Sequence, residues 1–569
     1  MRVTFSWLDY LVFSLVLLLS LLIGVYFALR SRNEANEEYL LGGRNLHAVP
    51  VSMSLVVTYI SAIAVQGGPA ETYYHSIQIL WGNFGALAIP VAALVYVPFY
   101  YELRLVSVNQ YLEMRYKSLW ARRVGSALFI LQILLNQAVV IYAPALALAA
   151  VTEFPIWLSI VVVGTVASLY TAIGGMKAVV WTDAFQFVVL FGGLIVVVVS
   201  GVTEVGGLAK VWEVAVKHER AGPQINNWQV SMFERHTVWG LAWAGFLNTL
   251  STYCCSQTAI QRYSSMKNLK HVYISVFLLL PYGFLLSALL SLTGLVLFAT
   301  YVDCDPLAAG LVESKDQILP YYVMDRLSSI PGVPGVFVAC IMSGALSTIS
   351  SGVNSQAAVT WEDWLSMTDY FGKLSSKTQA FITKLMAFGY GMVAIGLAFI
   401  AGSMGGVLQT AVAVTFAVAG PLFAAFTLAI FVPFSNAKGS CAAMLGGTML
   451  SLGLYFGATG IGLTPELLPT STDGCPANIT IPPPPTTPIL RVEDLDYPKK
   501  LLGVSYTLLG TIGFLASCII GILVSLATGG HNGKPIKENL VHKWVRWALP
   551  DPYPEESPVS PRYTANTRF

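Results

Sequence analysis

The chain has 569 residues, of which 55% are hydrophobic and only 11% are charged. Soluble domains carry about 25% charged residues, so this composition excludes an ordinary soluble protein and indicates a polytopic membrane protein embedded in a lipid bilayer. The 32 basic and 30 acidic residues nearly balance. The net charge of +2 by itself says nothing about nucleic acid, and no nucleic-acid partner is expected.

Apolar runs of about 20 residues, the length needed to cross a bilayer, recur about thirteen times along the sequence. The first is too long for a signal peptide and lacks a small-residue cleavage site, so we interpret it as a retained helix. The predicted spans are 8–29, 48–74, 79–101, 123–150, 155–176, 183–202, 237–261, 272–300, 331–360, 383–403, 405–433, 440–463 and 502–528. An all-α fold follows from this pattern.

Basic residues in the short loops predict the orientation, because cytoplasmic loops are enriched in Lys and Arg. They alternate along the chain in a way that places the N-terminus outside and the C-terminus in the cytoplasm. The loops 203–236, 301–330 and 464–500 would then be extracellular. The last of these contains Asn478 in an Asn-Ile-Thr glycosylation motif, so we predict a glycosylated Asn478.

Seven cysteines are present, and five of them fall in predicted spans, where they are interpreted as small packing residues. Cys304 and Cys475 lie in loops on the predicted outer, oxidising side. A disulfide between them is a hypothesis, because the sequence does not show whether their Cα atoms approach closely enough.

The second span carries Gly67, Gly68 and Pro69, where helix continuation is poorest. A break there would free backbone groups at membrane depth, and such groups are tolerated only beside a cavity or ligand. Discontinuous helices of this kind are typical of transporter binding sites. A kink that packs against a neighbouring helix is the alternative.

The ninth span has hydroxyl side chains at nearly every turn between Ser343 and Gln356. A helix this polar must face protein or water rather than lipid. Ser347 and Thr348 place two adjacent hydroxyl oxygens near mid-membrane, which suits a small monovalent cation. Close helix packing through Ser, Thr and Gly is the alternative, and this helix alone does not decide between the two.

Four passages of the sequence resemble the sodium:solute symporter family, and the likeness extends from about Leu11 to about Thr528. Within the family the chain is most similar to the branch of sodium-coupled monocarboxylate, multivitamin and iodide symporters, on four further passages. The first four are Glu38–Arg44, Tyr111–Arg115, Tyr170–Gln186 and Ala259–Tyr263, and the second four are Gly68–Glu71, Ile141–Leu146, Ser343–Thr348 and Ala357–Asp363.

The resemblance implies a leucine-transporter-type core of two inverted five-helix repeats, in which the first core helix (48–74) pairs with the sixth (237–261) and each is broken. It divides the chain into an N-terminal helix and loop (1–47), a ten-helix transport core (48–433), two C-terminal helices with the glycosylated loop 464–500 (434–528), and a tail (529–569). The polar, proline-rich tail is expected to be disordered in the cytoplasm.

Carried over by motif, the resemblance implies that Na⁺ is the co-transported ion. Its ligands would be the carbonyls of Val57, Ile60 and Gly344 and the hydroxyls of Ser347 and Thr348. A second sodium site would match Ser61, Ala64 and Tyr142. Ala64 contributes no side-chain oxygen, so one or two sodium ions per cycle remain open.

The substrate cavity is expected between the two broken helices and the second core helix. The predicted lining residues are Gln66, Gly67, Gly68, Gly82, Ala86, Thr249, Tyr253 and Gln257. No span clearly supplies a buried Arg or Lys at mid-depth. Arg262 is interpreted as a structural or gating residue, and Asp183 and Gln186 as caps of the helix after Gly174 and Gly175.

These observations predict a sodium-coupled symporter that imports a small organic carboxylate, either a monocarboxylate or a vitamin-like anion, across the plasma membrane. An iodide or inorganic-anion symporter is the first alternative, and a channel or sensor on the same fold is the second. The sequence has no Walker-type loop and no His/Cys cluster with metal-ligand spacing. We therefore expect neither an enzyme nor an organic cofactor.

Overall fold

The computed structural model describes residues 5–30, 36–152, 154–401, 407–463, 467–477, 479, 481–482, 490–530 and 536–549. Within these residues the regular structure is helical, and one isolated β-bridge joins Leu46 to Met266. This architecture confirms the predicted all-α, polytopic fold class.

Each predicted span coincides with helical structure, labelled α1 to α13 in chain order. The first six are α1 (Trp7–Arg30), α2a (Ala48–Tyr59) with α2b (Ala62–His75), α3 (Ile77–Leu103), α4 (Leu119–Val151), α5 (Ile156–Leu169) and α6 (Gly174–Val205). The others are α7a (Val238–Cys254) with α7b (Gln257–Ser264), α8 (Leu269–Thr300), α9 (Val333–Thr360), α10 (Ser376–Ala401), α11 (Val407–Phe431), α12 (Ala437–Gly460) and α13 (Leu509–Ala527).

Ten of the described helices are long and apolar enough to cross a membrane, or eleven when the two halves of α2 are counted as one span. The remaining two predicted spans are α5 and α7. α5 and α6 belong to one continuous helical run from Ile156 to Val205, which is kinked at Gly175. α7 is short because it is interrupted after Cys254.

Gly175 makes the kink between α5 and α6 possible. Its φ of 64° lies in the left-handed region that favours glycine. A Cβ at this position would also lie only 2.5 Å from the Tyr39 ring. The turn therefore depends on the glycine both for its backbone conformation and for the close approach of Tyr39.

Two helices are broken within their membrane-spanning length, and they stand five spans apart. α2a and α2b meet at an angle of 59°, while α7a and α7b are separated by Cys255 and Ser256. Because each crossing reverses the chain direction, two spans five crossings apart run in opposite directions. α9, which is buried along almost its whole length, packs against α2a, α4 and α6.

The predicted disorder from residue 529 onward does not hold for residues 536–549. Leu540 and Val541 are buried, the Leu540 carbonyl accepts a hydrogen bond from Tyr111, and the His542 amide donates to the Ile430 carbonyl. These apolar residues bury surface against the core, which the proline-rich composition of the whole tail concealed. Residues 550–569 lie outside the described part of the chain.

Candidate functional site

Four of the five predicted sodium ligands meet where α2a ends against the middle of α9. The Ser347 hydroxyl donates to the carbonyls of Val57 (2.9 Å) and Gly344 (3.0 Å). The Thr348 hydroxyl lies 3.1 Å from the Gly344 carbonyl and 3.4 Å from that of Val57. These neutral oxygens are of the type that a hard cation such as Na⁺ accepts.

Thr58 joins this cluster through its carbonyl, 3.0 Å from the Thr348 hydroxyl, and sequence reasoning missed it. Ile60, the fifth predicted ligand, lies in the break with non-helical φ and ψ of −106° and 90°. Its carbonyl takes no part in the hydrogen bonds of the cluster. Helical spacing would have suggested Thr58, since it directly follows Val57 on the last turn of α2a.

The break in α2 lies at Ile60 and Ser61, not at Gly67–Pro69 as the sequence predicted. The Ser61 hydroxyl accepts a hydrogen bond from the Ile63 amide (3.2 Å) and so caps α2b. Gly344 lets α9 approach the break, because a Cβ there would lie 3.0 Å from the Ala62 nitrogen.

Gly67, Gly68 and Pro69 lie inside α2b instead. Gly67 is needed for helix packing, since an added Cβ would lie 2.5 Å from the Leu408 Cβ. Pro69 is buried within the same helix. The packing alternative for this Gly-Gly-Pro run is therefore the one that the structure supports.

A cavity of about 180 Å³ opens beside the oxygen cluster and reaches from the breaks of α2 and α7 to α4 and α11. Ser61 and Thr348 line it, so it shares a wall with the cluster. Its polar lining residues are Thr58, Tyr59, Ser61, Asn109, Gln132, Asn136, Gln137, Ser251, Thr252, Ser256, Thr258, Thr348 and Thr415. Its apolar lining residues include Phe129, Ile133, Val412, Phe416 and Leu422.

None of the eight predicted substrate residues lines this cavity. Gln66 is fully buried and donates to the Ala143 carbonyl (2.8 Å). Both amide atoms of Gln257 are engaged by the loop before Asn109, at 2.7 Å from the Val108 nitrogen and 2.7 Å from the Val106 carbonyl. Gly67 and Gly68 face Leu408 and Leu290.

The predicted residues on α3 and α7a serve helix packing. A Cβ on Gly245 would lie 2.1 Å from the Gly82 carbonyl, and the Thr249 hydroxyl lies against Gly85. Ala86 lines a groove on the other side of α3. Tyr253 packs edge-on against Tyr59, with ring centroids 5.3 Å apart. The predicted residues on α2b and α7 thus belong to helices that border the cavity but lie on other faces of them, and no residue of α3 lines the cavity.

Only some of the residues matched to a second sodium site lie at the cavity. Ser61 and Ala64 line the cavity, whereas Tyr142 does not. The Ser61 hydroxyl already caps α2b.

One completely buried charged group among the helices was underestimated by sequence reasoning. We call it the Asp183 cluster: Asp183, Arg262, Ser54, Thr58 and Ser351. Arg262 and Asp183 are completely buried, and Arg262 Nη2 lies 3.1 Å from Asp183 Oδ2. The guanidinium also donates to the hydroxyls of Ser54, Thr58 and Ser351 at 2.8, 2.8 and 2.5 Å.

Asp183 is thus not a helix cap, as predicted, but the partner of a buried arginine. The cluster joins α2a, α6, α7b and α9, and it lies one helical turn from Ser347 on α9 and includes Thr58. An acidic residue in an apolar span requires a partner, and this requirement could have led from Asp183 to Arg262.

A second buried charged group surrounds Glu71 at the far end of α2b. We call it the Glu71 cluster: Glu71, His75, Arg235, His236 and Lys315. Glu71 Oε1 lies 2.7 Å from Arg235 Nη2 and 3.4 Å from His236 Nε2, and Glu71 Oε2 lies 3.7 Å from Lys315 Nζ. Burial lowers the pKa of His236 to about 4, against the opposing pull of the Glu71 carboxylate.

Beyond the Glu71 cluster, the loop containing residues 467–477 closes over the end of α2b. The Leu468 amide donates to the Tyr74 carbonyl (2.9 Å). In the structure Cys304 and Cys475 form a disulfide with their Cα atoms 4.8 Å apart. Asn478, the predicted glycosylation site, lies outside the described residues.

The structure contains two broken helices that run in opposite directions. Neutral oxygens meet at one of the breaks, and a cavity lies beside them. This arrangement is typical of a cation-coupled secondary transporter. Residues 39–447 match the sodium:solute symporter family, and the chain belongs to this family. The protein is therefore a sodium-coupled solute symporter rather than an enzyme.

Similar proteins cover nearly the whole chain. The sodium-dependent multivitamin transporter of Oryctolagus cuniculus is 38% identical over 542 residues, which cover 94% of this chain and 84% of the relative. Sodium-coupled monocarboxylate transporter 1 of Homo sapiens is 36% identical over 559 residues, which cover 95% and 90%.

Among solved structures, the substrate-bound, outward-open state of a Na⁺-coupled sialic acid symporter superimposes with a TM-score of 0.74. The match covers 92% of this chain and 99% of that one, at 21% sequence identity. This likeness establishes the fold and confirms the leucine-transporter-type core that the sequence predicted.

Proposed function

We propose that the protein imports a small organic carboxylate with Na⁺ across the plasma membrane, with its N-terminus outside and its C-terminus in the cytoplasm. One observation carries the proposal: Thr348 belongs both to the oxygen cluster and to the cavity wall. An ion held by Val57, Ile60, Gly344, Ser347 and Thr348 would thus lie beside the bound substrate.

The hydroxyls of Ser347 and Thr348 donate to carbonyls that would also bind the ion. Sodium binding therefore requires both hydroxyl protons to turn away, after which five oxygens face one cation. The ion would link α2a to α9 and favour one of the two access states, since coupling arises only from different affinities in the two states. Each ion also gains about 2.3 kcal/mol per 100 mV of membrane potential.

The chemistry of the cavity favours a carboxylate over a bare halide. Amides and hydroxyls line it together with aromatic and aliphatic groups, which matches an anionic head on a short apolar body. The two relatives named above are multivitamin and monocarboxylate transporters, which supports the same substrate class.

The test removes both hydroxyl ligands with little change of volume, in the double variant Ser347→Ala/Thr348→Val. Sodium-dependent uptake of labelled lactate, biotin, pantothenate and iodide is compared in the same expressing cells. We expect saturable uptake of one carboxylate by the unaltered protein and its collapse in the double variant, with surface expression retained.

The matched control is Ser343→Ala, one turn away on α9, whose buried hydroxyl has no hydrogen-bond partner in the structure. It should leave sodium activation unchanged. Normal sodium activation in the double variant would reject the sodium site. Accumulation of iodide without uptake of any carboxylate would show that the substrate is an inorganic anion. Sodium current without saturable solute uptake would indicate a channel.

A further inference from the structure

Two carboxamide side chains on α4 face the cavity one helical turn apart. Gln132 and Asn136 both line it, and residues at i and i+4 share one face of a helix with Cβ atoms about 5–6 Å apart. Gln137 also borders the cavity, but its amide nitrogen donates to the Ile349 carbonyl (3.2 Å). Gln132 makes no hydrogen bond within the described residues.

Asn136 is held in one orientation from across the cavity. The Thr415 hydroxyl on α11 donates to Asn136 Oδ1 at 3.2 Å, so the oxygen of the carboxamide is occupied. The Nδ2 group, with two hydrogens to donate, has no partner within the described residues. Asn136 therefore presents donors rather than acceptors to a molecule in the cavity.

No charged side chain lines the cavity among the described residues. The guanidinium of Arg262 is bound by Asp183 and three hydroxyls, and that of Arg235 by Glu71. An anion in the cavity must therefore be recognised by neutral donors, together with any sodium ion at Thr348.

We propose that Gln132 and Asn136 recognise the carboxylate of the substrate, with Thr415 as a positioning residue that turns the Asn136 amide nitrogen toward it. Two donor groups one helical turn apart fit the two oxygens of a carboxylate. Phe129 and Ile133, on the same stretch of α4, would contact the apolar remainder. This inference rests on the proposed function and specifies which residues select the substrate.

The test uses whichever of labelled lactate, biotin or pantothenate the unaltered protein accumulates. Asn136→Leu removes the donors, and we expect KM for this probe to rise about 10- to 100-fold, as for the loss of a hydrogen bond to a charged group. Asn136→Asp replaces a donor with a negative charge and should abolish uptake. Asn354→Leu, the same type of change on α9 away from the cavity, should leave KM within about twofold.

The Thr415 pair tests positioning even where an Asn136 variant fails to fold. Thr415→Val keeps the shape but loses the donor, so KM should rise several-fold at unchanged kcat, while Thr415→Ser should restore it. Unchanged KM in Asn136→Leu and in Thr415→Val would overturn the inference.

A second measurement distinguishes an incorrect assignment of Gln132 and Asn136 from an incorrect proposed function. Sodium should raise the thermal midpoint of the purified unaltered protein and of the Asn136 and Thr415 variants alike. Sodium protection with unchanged KM in the variants rejects only the carboxamide inference. Absence of sodium protection in the unaltered protein rejects the sodium coupling on which it rests.

Discussion

The Asp183 cluster and the Glu71 cluster both bury a carboxylate against an arginine, yet they are built differently. Every member of the Asp183 cluster belongs to a transmembrane helix, and its one acid and one base are completely shielded. In the Glu71 cluster the cations come from loop segments, and Arg235 and Lys315 keep 16% and 15% of their side-chain surface exposed.

This difference in burial indicates that the two clusters have different roles. A completely buried pair contributes little net attraction, but the loss of one partner leaves an uncompensated charge. The Asp183 cluster therefore fixes the mutual arrangement of α2a, α6, α7b and α9. The Glu71 cluster keeps part of its cations in contact with water, so it should respond to the salt and pH of the surrounding solution.

The largest expected effect comes from Asp183→Asn, which leaves Arg262 buried without a counter-charge. We expect the free energy of unfolding to fall by about 3–5 kcal/mol. The measurement is the thermal midpoint of the purified protein, which should drop by a large amount. The double variant Asp183→Asn/Arg262→Gln removes both charges and should recover part of this loss. An unchanged midpoint in the single variant would show that the pair does not hold the four helices together.

A smaller effect is expected for Glu71→Gln, because Arg235 and Lys315 retain some contact with water. The loss should be about 1–3 kcal/mol and should shrink between 0.05 and 1 M salt, which screens exposed charges. The Asp183→Asn loss should not depend on salt. Equal salt dependence of the two variants would remove the distinction between the clusters.

The smallest effect concerns pH and His236. Its pKa of about 4 in the folded protein lies below the ordinary value of about 6.5, so the unfolded chain binds a proton that the native state does not. Stability is therefore complete above pH 6.5 and falls as the pH drops from 6.5 toward 4.

Between pH 6.5 and 5.5 the loss of stability is about 1 kcal/mol, because the imidazole of the unfolded chain is only half protonated at pH 6.5. Thermal midpoints of the unaltered protein and of His236→Gln, measured across this range, provide the check. The variant should lose this part of the pH dependence. The same slope in both proteins would assign it to another group.

The sequence predicted the positions of all thirteen spans because each requires only an apolar run of sufficient length. The proximity of Ser347 and Thr348 to Val57 at the end of α2a was implied only by the family resemblance, because the hydroxyl pattern of α9 alone also fits close helix packing. It placed the break of α2 at Gly67–Pro69 because glycine and proline weaken helices locally. The actual break at Ser61 depends on a cap and on the approach of α9 through Gly344.

The cavity residues were beyond prediction for a related reason. Gln132, Asn136 and Thr415 lie on α4 and α11, which are distant in sequence from the broken helices. Only the packing of five helices around one space brings them to the same cavity as Ser61. The partnership of Asp183 with Arg262 likewise joins residues 79 positions apart, which helical periodicity does not reveal.

The contact between Gly82 and Gly245 should keep the distance between α3 and α7a constant. Because the backbones of α3 and α7a touch there with no intervening side chain, these two helices should move together as one rigid body. A pair of spin labels on exposed positions of α3 and α7a should therefore report one constant distance with and without Na⁺ and substrate. Changes measured from either helix to α4 could then be read against this internal reference.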